Sequence, residues 1–234
     1  MAMRPAIYGD LVSRDALALV LALGAMRIPF DFVAETPALS LVLSTRSGVD
    51  AGPYLRTPEG FVLGDLAAIL DHLERLHPDR PWRPTTPVRR VCARLLEDWI
   101  ELWLPLWPER AAAIVEGLAV HLDRSGFLLG EAACRPDGSL AAWLETEVFV
   151  DAALRAHVER RGAGLFDYVK RVRDVGADRE SGALRHDREG DAIPVSLLAV
   201  LVELAHDYHA YLDANREALA EGEDRVRKIG RAHV

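Results

Sequence analysis

The 234-residue chain has little cysteine and no long apolar run. Its two cysteines, Cys92 and Cys134, do not form a Cys-x-x-Cys pair, which excludes a disulfide-rich scaffold and a dithiol redox motif. The longest apolar runs, residues 16–26 and 195–202, are shorter than the ~20 residues that a membrane-spanning helix requires. We therefore expect a cytoplasmic protein that has two reduced, mostly buried thiols and does not bind a membrane.

Positive charge is also scarce. The sequence has 28 Lys and Arg residues against 36 Asp and Glu residues, a formal net charge of -8, whereas binding to a phosphate backbone needs a basic stripe. Asp10 and Asp15 stand where a secretory signal would carry positive charge. The sequence therefore predicts neither a nucleic-acid partner nor export by a recognisable signal.

Lysine is particularly rare, because only Lys170 and Lys228 are present among the 28 basic residues, a bias typical of a GC-rich genome. Lys228 begins an unusual final segment, Lys-Ile-Gly-Arg-Ala-His-Val. Back-translation of residues 229–234 gives ATCGGAAGAGCACACGTC, which matches a widely used sequencing adapter. We interpret residues 228–234 as a non-native tail and exclude them from the fold prediction.

Half of the residues are hydrophobic and 27% are charged, which is the composition of a folded globular protein. Residues 6–77 alternate between strand and helix signals. The predicted elements are a strand at residues 6–8, a helix from Ser13 to residue 26, a strand at 30–33, a short irregular helix within 36–50, a hairpin of 54–56 and 61–63, and a helix that follows Asp65 and ends at Pro78. This order, βαβαββα, predicts a mixed α/β domain over residues 1–80.

The second half of the chain has a different pattern. Residues 78–87 contain four prolines, so we predict a stiff linker at residues 81–87. Beyond it, apolar residues at helical spacing predict an all-α domain over residues 88–227. The apolar stripes are Val91, Leu95, Leu96, Trp99, Leu102 and Trp103; Leu140, Trp143, Leu144 and Val148; and Leu197, Leu198, Leu201, Leu204, Tyr208, Tyr211 and Leu212. Residues 174–191 lack this period and are rich in charge and glycine, which predicts a mobile surface loop.

Several segments resemble the glutathione S-transferase superfamily. Residues 52–55, Gly-Pro-Tyr-Leu, and residues 59–70 are similar to its block of a cis-proline strand, a hairpin and a helix that starts after an acidic residue. Residues 127–130 and 139–141 are similar to a less specific pattern in its helical domain. The resemblance covers most of residues 6–220. It implies a thioredoxin-like, glutathione-binding domain followed by an all-α helical bundle.

Ser13 is the first candidate catalytic residue, with Tyr8 second. A free thiol has a pKa of ~8.5, and a hydroxyl donor at a helix N-terminus would stabilise the thiolate. The position of Ser13 matches the catalytic serine of several classes of the family. Its alternative role is that of a helix N-cap, and one residue can do both. A hydroxyl inside a strand, such as that of Tyr8, is more often part of a core.

The resemblance also implies a glutathione site at Gly52, Pro53, Asp65 and Leu66. The backbone around Gly52 and Pro53 would pair with the cysteinyl residue, and Asp65 would hold the γ-glutamyl ammonium, unless it serves only as a helix cap. Leu66 departs from the family, which usually has Ser or Thr there. The backbone N–H remains but a hydroxyl is lost, which costs about 1.5–3 kcal/mol and weakens glutathione binding about tenfold or more without abolishing it.

One arginine departs from the family pattern, and another is a candidate to replace a missing lysine. Arg14 stands where the family often has proline. The first domain has no lysine to bind the glycyl carboxylate, so Arg46 is a candidate replacement.

Trp99, Trp103 and Trp107 recur every four residues. Core packing is the default role for such a stripe, and the functional alternative is the wall of a hydrophobic substrate pocket, formed by Trp99 and Trp103. His206 and His209 have a spacing that could hold a metal, but no further ligand is evident. We therefore expect no metal.

The leading hypothesis is a glutathione S-transferase-like enzyme that activates the thiol of its co-substrate glutathione as a thiolate, which attacks a hydrophobic electrophile in a detoxification reaction. The family further implies a homodimer. The alternative is a non-catalytic binding or scaffold protein of the same fold with a weakened glutathione site, a reading that Leu66 favours.

Overall fold

The computed structural model describes residues 4–104, 110–176 and 190–222. A four-stranded mixed sheet has the order β2-β1-β3-β4. Its strands are β1 (Ala6–Gly9), β2 (Asp31–Ala34), β3 (Tyr54–Arg56) and β4 (Val62–Leu63). β1 runs parallel to β2 and antiparallel to β3, with Tyr8 opposite both Val33 and Tyr54. The carboxyl end of β1 therefore lies beside the first residue of β3.

Helices α1 (Arg14–Ala25) and α3 (Leu66–Leu76) share one core with Ile7 and Leu55 of the sheet. Helix α2 (Pro37–Ser47) covers the other face. It is regular rather than short and irregular as predicted: Thr36 caps its start and Gly48 ends it at a φ of 73°. Its sequence signal is weak because Leu43 is its one buried residue.

All further elements in the described part of the chain are helical. They are α4 (Pro87–Asp98), which continues as a π-helical segment (Trp99–Trp103), α5 (Ala111–Ser125), α6 (Arg135–Trp143), which continues as a second π-helical segment (Leu144–Val148), α7 (Ala152–Arg161), α8 (Gly164–Asp174) and α9 (Leu197–Ala220). Every residue of α6 is buried, so it forms the centre of the bundle. This architecture confirms the predicted fold class, an α/β thioredoxin-like domain followed by an all-α bundle.

The predicted apolar stripes are only partly buried. Val91, Leu102, Leu198 and Leu212 are exposed, whereas most of their partners lie in the core. Helical spacing identified these helices, but it predicted a wider buried face on each helix than the structure shows. Both cysteines are free and buried, as expected.

The start of α6 is fixed by a buried capping box. Asp137 accepts hydrogen bonds from the backbone amides of Cys134 (2.8 Å) and Leu128 (2.9 Å) and from the Tyr168 hydroxyl (2.9 Å). Burial, followed by the adjacent Asp137 carboxyl, raises the pKa of the Cys134 thiol well above its usual value. The sequence prediction missed this cap because Cys is not a usual N-cap residue.

The proline-rich linker is anchored by Trp82, which is 1% exposed. Its carbonyl accepts a hydrogen bond from the Arg135 amide at 2.8 Å. The buried Arg135 guanidinium then donates to Glu97 Oε1 and to Asp71 Oδ1, each at 2.6 Å. Since Asp71 lies on α3 and Glu97 on α4, this network ties the first domain to the helical bundle.

Some sequence predictions fall outside the described residues: those for Trp107, for most of the 174–191 loop and for the tail at 228–234. Among the helices that are described, none combines the length and apolarity needed to cross a membrane.

Candidate functional site

The end of β1, the start of β3 and the first turn of α1 meet around Gly9. A Cβ at Gly9 would lie 3.0 Å from Ala16 Cβ and 3.7 Å from Pro53 Cβ. Ala16 is one turn beyond Ser13, so the turn that begins at Ser13 packs through Gly9 against Pro53. The fold therefore brings two of the predicted site residues, Ser13 and Pro53, to the same end of the sheet.

Ser13 stands at the N-cap position of α1 with extended backbone angles, and it is half-buried. Its amide donates to the Asp10 carbonyl at 2.8 Å, but its side chain makes no capping hydrogen bond. Within the described residues, the Ser13 hydroxyl has no hydrogen-bond partner. The cap role is therefore not the one this hydroxyl performs, and its predicted catalytic role stays a prediction.

Tyr8 is a core side chain, 9% exposed. It packs with Tyr54 and Leu43 on the α2 side of the sheet, and the Arg56 guanidinium carbon lies 5.9 Å from its ring centroid. This environment matches the core alternative that the sequence left open for Tyr8.

The Gly52–Pro53 peptide bond is cis, as the resemblance implied. A Cβ at Gly52 would lie 3.0 Å from Glu35 Oε2 and 3.1 Å from the Tyr54 ring, so a larger residue would not fit without movement. In the described part of the chain, the Gly52 backbone has no hydrogen-bond partner. This leaves a peptide group to which an extended ligand could add as a strand.

Glu35 lies beside the candidate site residues, although the sequence did not indicate it. It lies in the loop after β2, where its amide donates to the Gly9 carbonyl at 3.1 Å and its carboxylate approaches Gly52. No local motif marks this residue, because its position depends on how the loop folds back onto β1. Its negative charge is part of the edge where the cysteinyl group is predicted to bind.

The start of α3 lies next to the same segment. A Cβ at Gly64 would lie 2.7 Å from Val49 Cβ, so α3 begins in close contact with the chain that leads to Gly52. Asp65 is exposed and caps α3, since its Oδ1 accepts from the Ala68 amide at 2.8 Å. Leu66 is 5% exposed and belongs to the core. The helix start keeps its backbone amide, while the Leu66 side chain packs into the core.

Arg46, the candidate for the glycyl carboxylate, and Arg14, a departure from the family pattern, are both already engaged. Arg46 donates to the Gly60 carbonyl at 2.6 Å, which holds α2 to the hairpin turn. Arg14 contacts Asp15 at 3.1 Å and Glu147 at 3.6 Å, so it links α1 to the helical bundle. The assignment of Arg46 to a glycyl carboxylate stays a prediction.

The surroundings of Arg14 are acidic. Glu101, beyond α4, accepts a hydrogen bond from the Ser139 hydroxyl at 2.9 Å, and burial raises the pKa of its carboxyl, with a smaller contribution from Asp15. Asp15 and Glu147 both contact Arg14. Three carboxyl groups thus lie around one guanidinium near the start of α1.

Trp99 and Trp103 lie in the core of the bundle, 7% and 6% exposed. The Trp103 ring meets Tyr208 edge-on, with centroids 5.8 Å apart and an interplanar angle of 81°. These contacts agree with core packing, and a role as the wall of a substrate pocket stays a prediction.

The two histidines with metal-ligand spacing, His206 and His209, lie on α9. The His206 side chain lies outside the described residues, and His209 contacts Asp213 at 3.4 Å. Across the described residues, no group of three or more His, Cys, Asp or Glu side chains could hold a metal ion.

Neither a family model nor a curated protein matches this sequence. Solved structures do match. A glutathione S-transferase from Methylobacterium radiotolerans, in complex with glutathione sulfonate, shares 22% identity over 75% of this chain and 94% of its own, with a TM-score of 0.59. A glutathione transferase homologue from a Burkholderia, with bound glutathione, shares 23% identity over 73% and 98%, with a TM-score of 0.51.

A glutathione S-transferase from Rhodospirillum rubrum shares 18% identity over 82% of this chain and 97% of its own, with a TM-score of 0.57. At this level of identity the matches establish architecture. The chain has the glutathione S-transferase fold, with each matched structure covered over almost its full length.

Proposed function

We propose that this protein is a glutathione S-transferase-like enzyme that binds glutathione along the edge formed by Ser13, Gly52, Pro53 and Asp65. The observation that carries the proposal is the Ser13 hydroxyl, which is not used as a cap and stands at the start of α1 near the cis-proline strand. Two solved structures of the same fold contain glutathione or its sulfonate, which supports glutathione as the ligand.

In this mechanism, Ser13 acts on the sulfur of glutathione. A thiol with a pKa of ~8.5 is mostly protonated at neutral pH, and a hydrogen bond from the Ser13 hydroxyl favours the thiolate. The unpaired amides at the start of α1 add positive potential. The thiolate then forms a carbon–sulfur bond to the electrophile while the leaving group departs with its electron pair, and the thiol proton passes to solvent.

The rest of the tripeptide is positioned by the other elements. The Gly52 peptide group pairs with the cysteinyl backbone, Asp65 takes the γ-glutamyl ammonium, and the Leu66 amide takes the γ-glutamyl carboxylate. Arg46 is the candidate for the glycyl carboxylate. Holding the thiolate and the electrophile together supplies the remaining rate enhancement through proximity.

The electrophile is proposed to lie against the face of the helical domain that carries Trp99 and Trp103, consistent with a hydrophobic substrate and a role in detoxification. A homodimer in the cytoplasm completes the proposal. Its test is the mass in solution, because a monomer at micromolar concentration would contradict the dimer without affecting the assignment of the chemistry.

The central experiment compares wild type with Ser13→Ala in the conjugation of glutathione to an activated aryl chloride. Loss of the hydroxyl is expected to lower turnover roughly 100-fold, as for removal of one donor that stabilises an anion, while glutathione affinity changes little. Tyr8→Phe is the matched control, which removes a core hydroxyl and leaves turnover unchanged. Equal turnover in wild type and Ser13→Ala would overturn the role given to Ser13.

A second candidate function is a non-catalytic binding or scaffold protein. It is favoured by the buried side chain of Leu66 and by the carboxylate of Glu35 at the cysteinyl edge. Calorimetry separates the two: glutathione binding without turnover of any aryl halide supports the scaffold. An absence of binding at millimolar glutathione would eliminate the enzyme.

A further inference from the structure

A cavity lies at the opposite end of the sheet from Ser13 and Pro53. It has a volume of about 480 Å³ and opens between the starts of β1 and β2, the end of β3 and the last turns of α3. The register pairs Ala6 with Arg56 at this end and Tyr8 with Tyr54 at the other, so the cavity and the candidate glutathione site are separated by the length of β1, about 10 Å.

The floor of this cavity is apolar. It is lined by Ile28, Leu55 and Leu73, with prolines around them, and Leu76 stands at its rim, 59% exposed. Small-molecule sites typically have volumes of about 300–1,000 Å³ and mostly apolar walls with a few polar groups. The cavity meets both criteria.

The titratable groups of the lining are all basic, and Thr57 adds a buried hydroxyl. Arg4 supplies a guanidinium, and His72 and His77 supply imidazoles, whereas none of the described lining residues is acidic. Glu59 is exposed on the hairpin turn outside the lining, and its pKa is lowered first by its own backbone and the Thr57 hydroxyl and least by His72.

We propose that this cavity binds an apolar carboxylate, with its hydrocarbon part on Ile28, Leu55 and Leu73 and its carboxylate between Arg4 and His77. Guanidinium and imidazole groups donate charge-assisted hydrogen bonds to a carboxylate, whereas an apolar floor excludes a small hydrophilic anion. The site does not depend on glutathione and is distinct from the proposed active site.

The test is calorimetric titration of the full chain with dodecanoate below its micellar concentration, alongside the uncharged dodecan-1-ol. Dodecanoate is expected to bind one molecule per chain, and the alcohol at least about tenfold more weakly. Leu76→Glu places a carboxylate at the rim and is expected to weaken dodecanoate at least about tenfold. Leu219→Glu, at a similarly exposed leucine on α9, is the matched control and leaves binding unchanged.

A second pair of variants tests the cationic groups. Arg4→Gln combined with His77→Gln is expected to weaken dodecanoate about fivefold or more, while Arg160→Gln combined with His209→Gln, which removes the same groups from exposed positions on α7 and α9, has no effect. Equal binding of alcohol and carboxylate, or no effect of Leu76→Glu, would overturn the proposal. Displacement of dodecanoate by saturating glutathione would also overturn the proposal. Dissociation of a homodimer by Leu76→Glu would do the same, because a second copy of the chain would then be the occupant of the cavity.

Discussion

The starts of α1 and α6 are two helix N-termini with opposite chemistry. At α6 the capping carboxylate of Asp137 is fully buried and receives hydrogen bonds from Leu128, Cys134 and Tyr168. At α1 the Ser13 hydroxyl is half-buried and caps nothing. A side chain whose hydrogen bonds are all satisfied inside the protein stabilises the fold, whereas one left open at a helix start is available to a ligand.

The largest effect expected from this comparison is on stability. Asp137→Ala leaves buried amides and a phenol without their acceptor, which should lower the free energy of unfolding by about 3–5 kcal/mol. Ser13→Ala removes a hydroxyl without an internal partner and should cost less than about 0.5 kcal/mol. Urea unfolding measures both, with Asp167→Ala, at an exposed acidic residue of α8, as the control. Similar losses of unfolding free energy for Asp137→Ala and Ser13→Ala would contradict the distinction between the two helix starts.

The features that could be predicted from sequence are those set by neighbouring residues. The hairpin around Pro58 and Gly60 and the α3 cap at Asp65 follow from short segments whose turn chemistry is local, whereas the cis peptide before Pro53 was implied by the family resemblance. The first three strands were predicted to within one or two residues for the same reason.

What could not be predicted depends on contacts between distant segments. Glu35 reaches Gly52 only because the loop after β2 folds back onto β1. Trp82 lies in a segment whose prolines indicated only a stiff linker, yet it is buried against α6. The α6 cap is a local exception, because cysteine is not a usual N-cap residue and Cys134 therefore gave no cap signal, although its partner Asp137 is close in sequence.

The second largest effect expected is a pH dependence of the free energy of unfolding, which arises from carboxyl groups around Arg135 at the start of α6. Burial, with a smaller contribution from Glu101, raises the pKa of Glu97 to about 8, although Arg135 lies 2.6 Å away. Burial likewise raises the pKa of Glu74 to about 7, opposed by Arg83. Carboxyl groups whose pKa is higher in the folded state stabilise it most at low pH, and this stabilisation is lost as the pH rises through the folded pKa.

The free energy of unfolding should therefore fall by about 1–3 kcal/mol between pH 6.5 and pH 9. Glu97→Gln should flatten this slope, whatever its effect on absolute stability, because the titrating group is gone. Glu217→Gln, at an exposed position on α9, is the control and keeps the wild-type slope. A wild-type stability that is level or rises over this range would contradict the placement of titrating carboxyls around Arg135.

The smallest effect concerns the open site at the start of α1, and it follows from the proposed function. Glu35 places a negative charge beside Gly52, where the cysteinyl part of glutathione is proposed to bind, and the ligand itself carries a net negative charge. Glu35→Gln removes this repulsion and should strengthen glutathione binding about threefold to fivefold, equivalent to 0.6–1 kcal/mol for charges several ångströms apart in a partly solvated site.

Calorimetry with glutathione measures the change, and the gain should shrink at high salt, which screens the repulsion. Asp31→Asn is the matched control, because it removes a carboxylate at the far end of β2 and should leave the affinity within about twofold. Weaker binding in Glu35→Gln would mean that the carboxylate accepts a hydrogen bond from the ligand, which would turn Glu35 from an opposing group into a binding residue. Glu35 would then resemble Ser13 rather than Asp137, because its polar group would be available to bind the ligand.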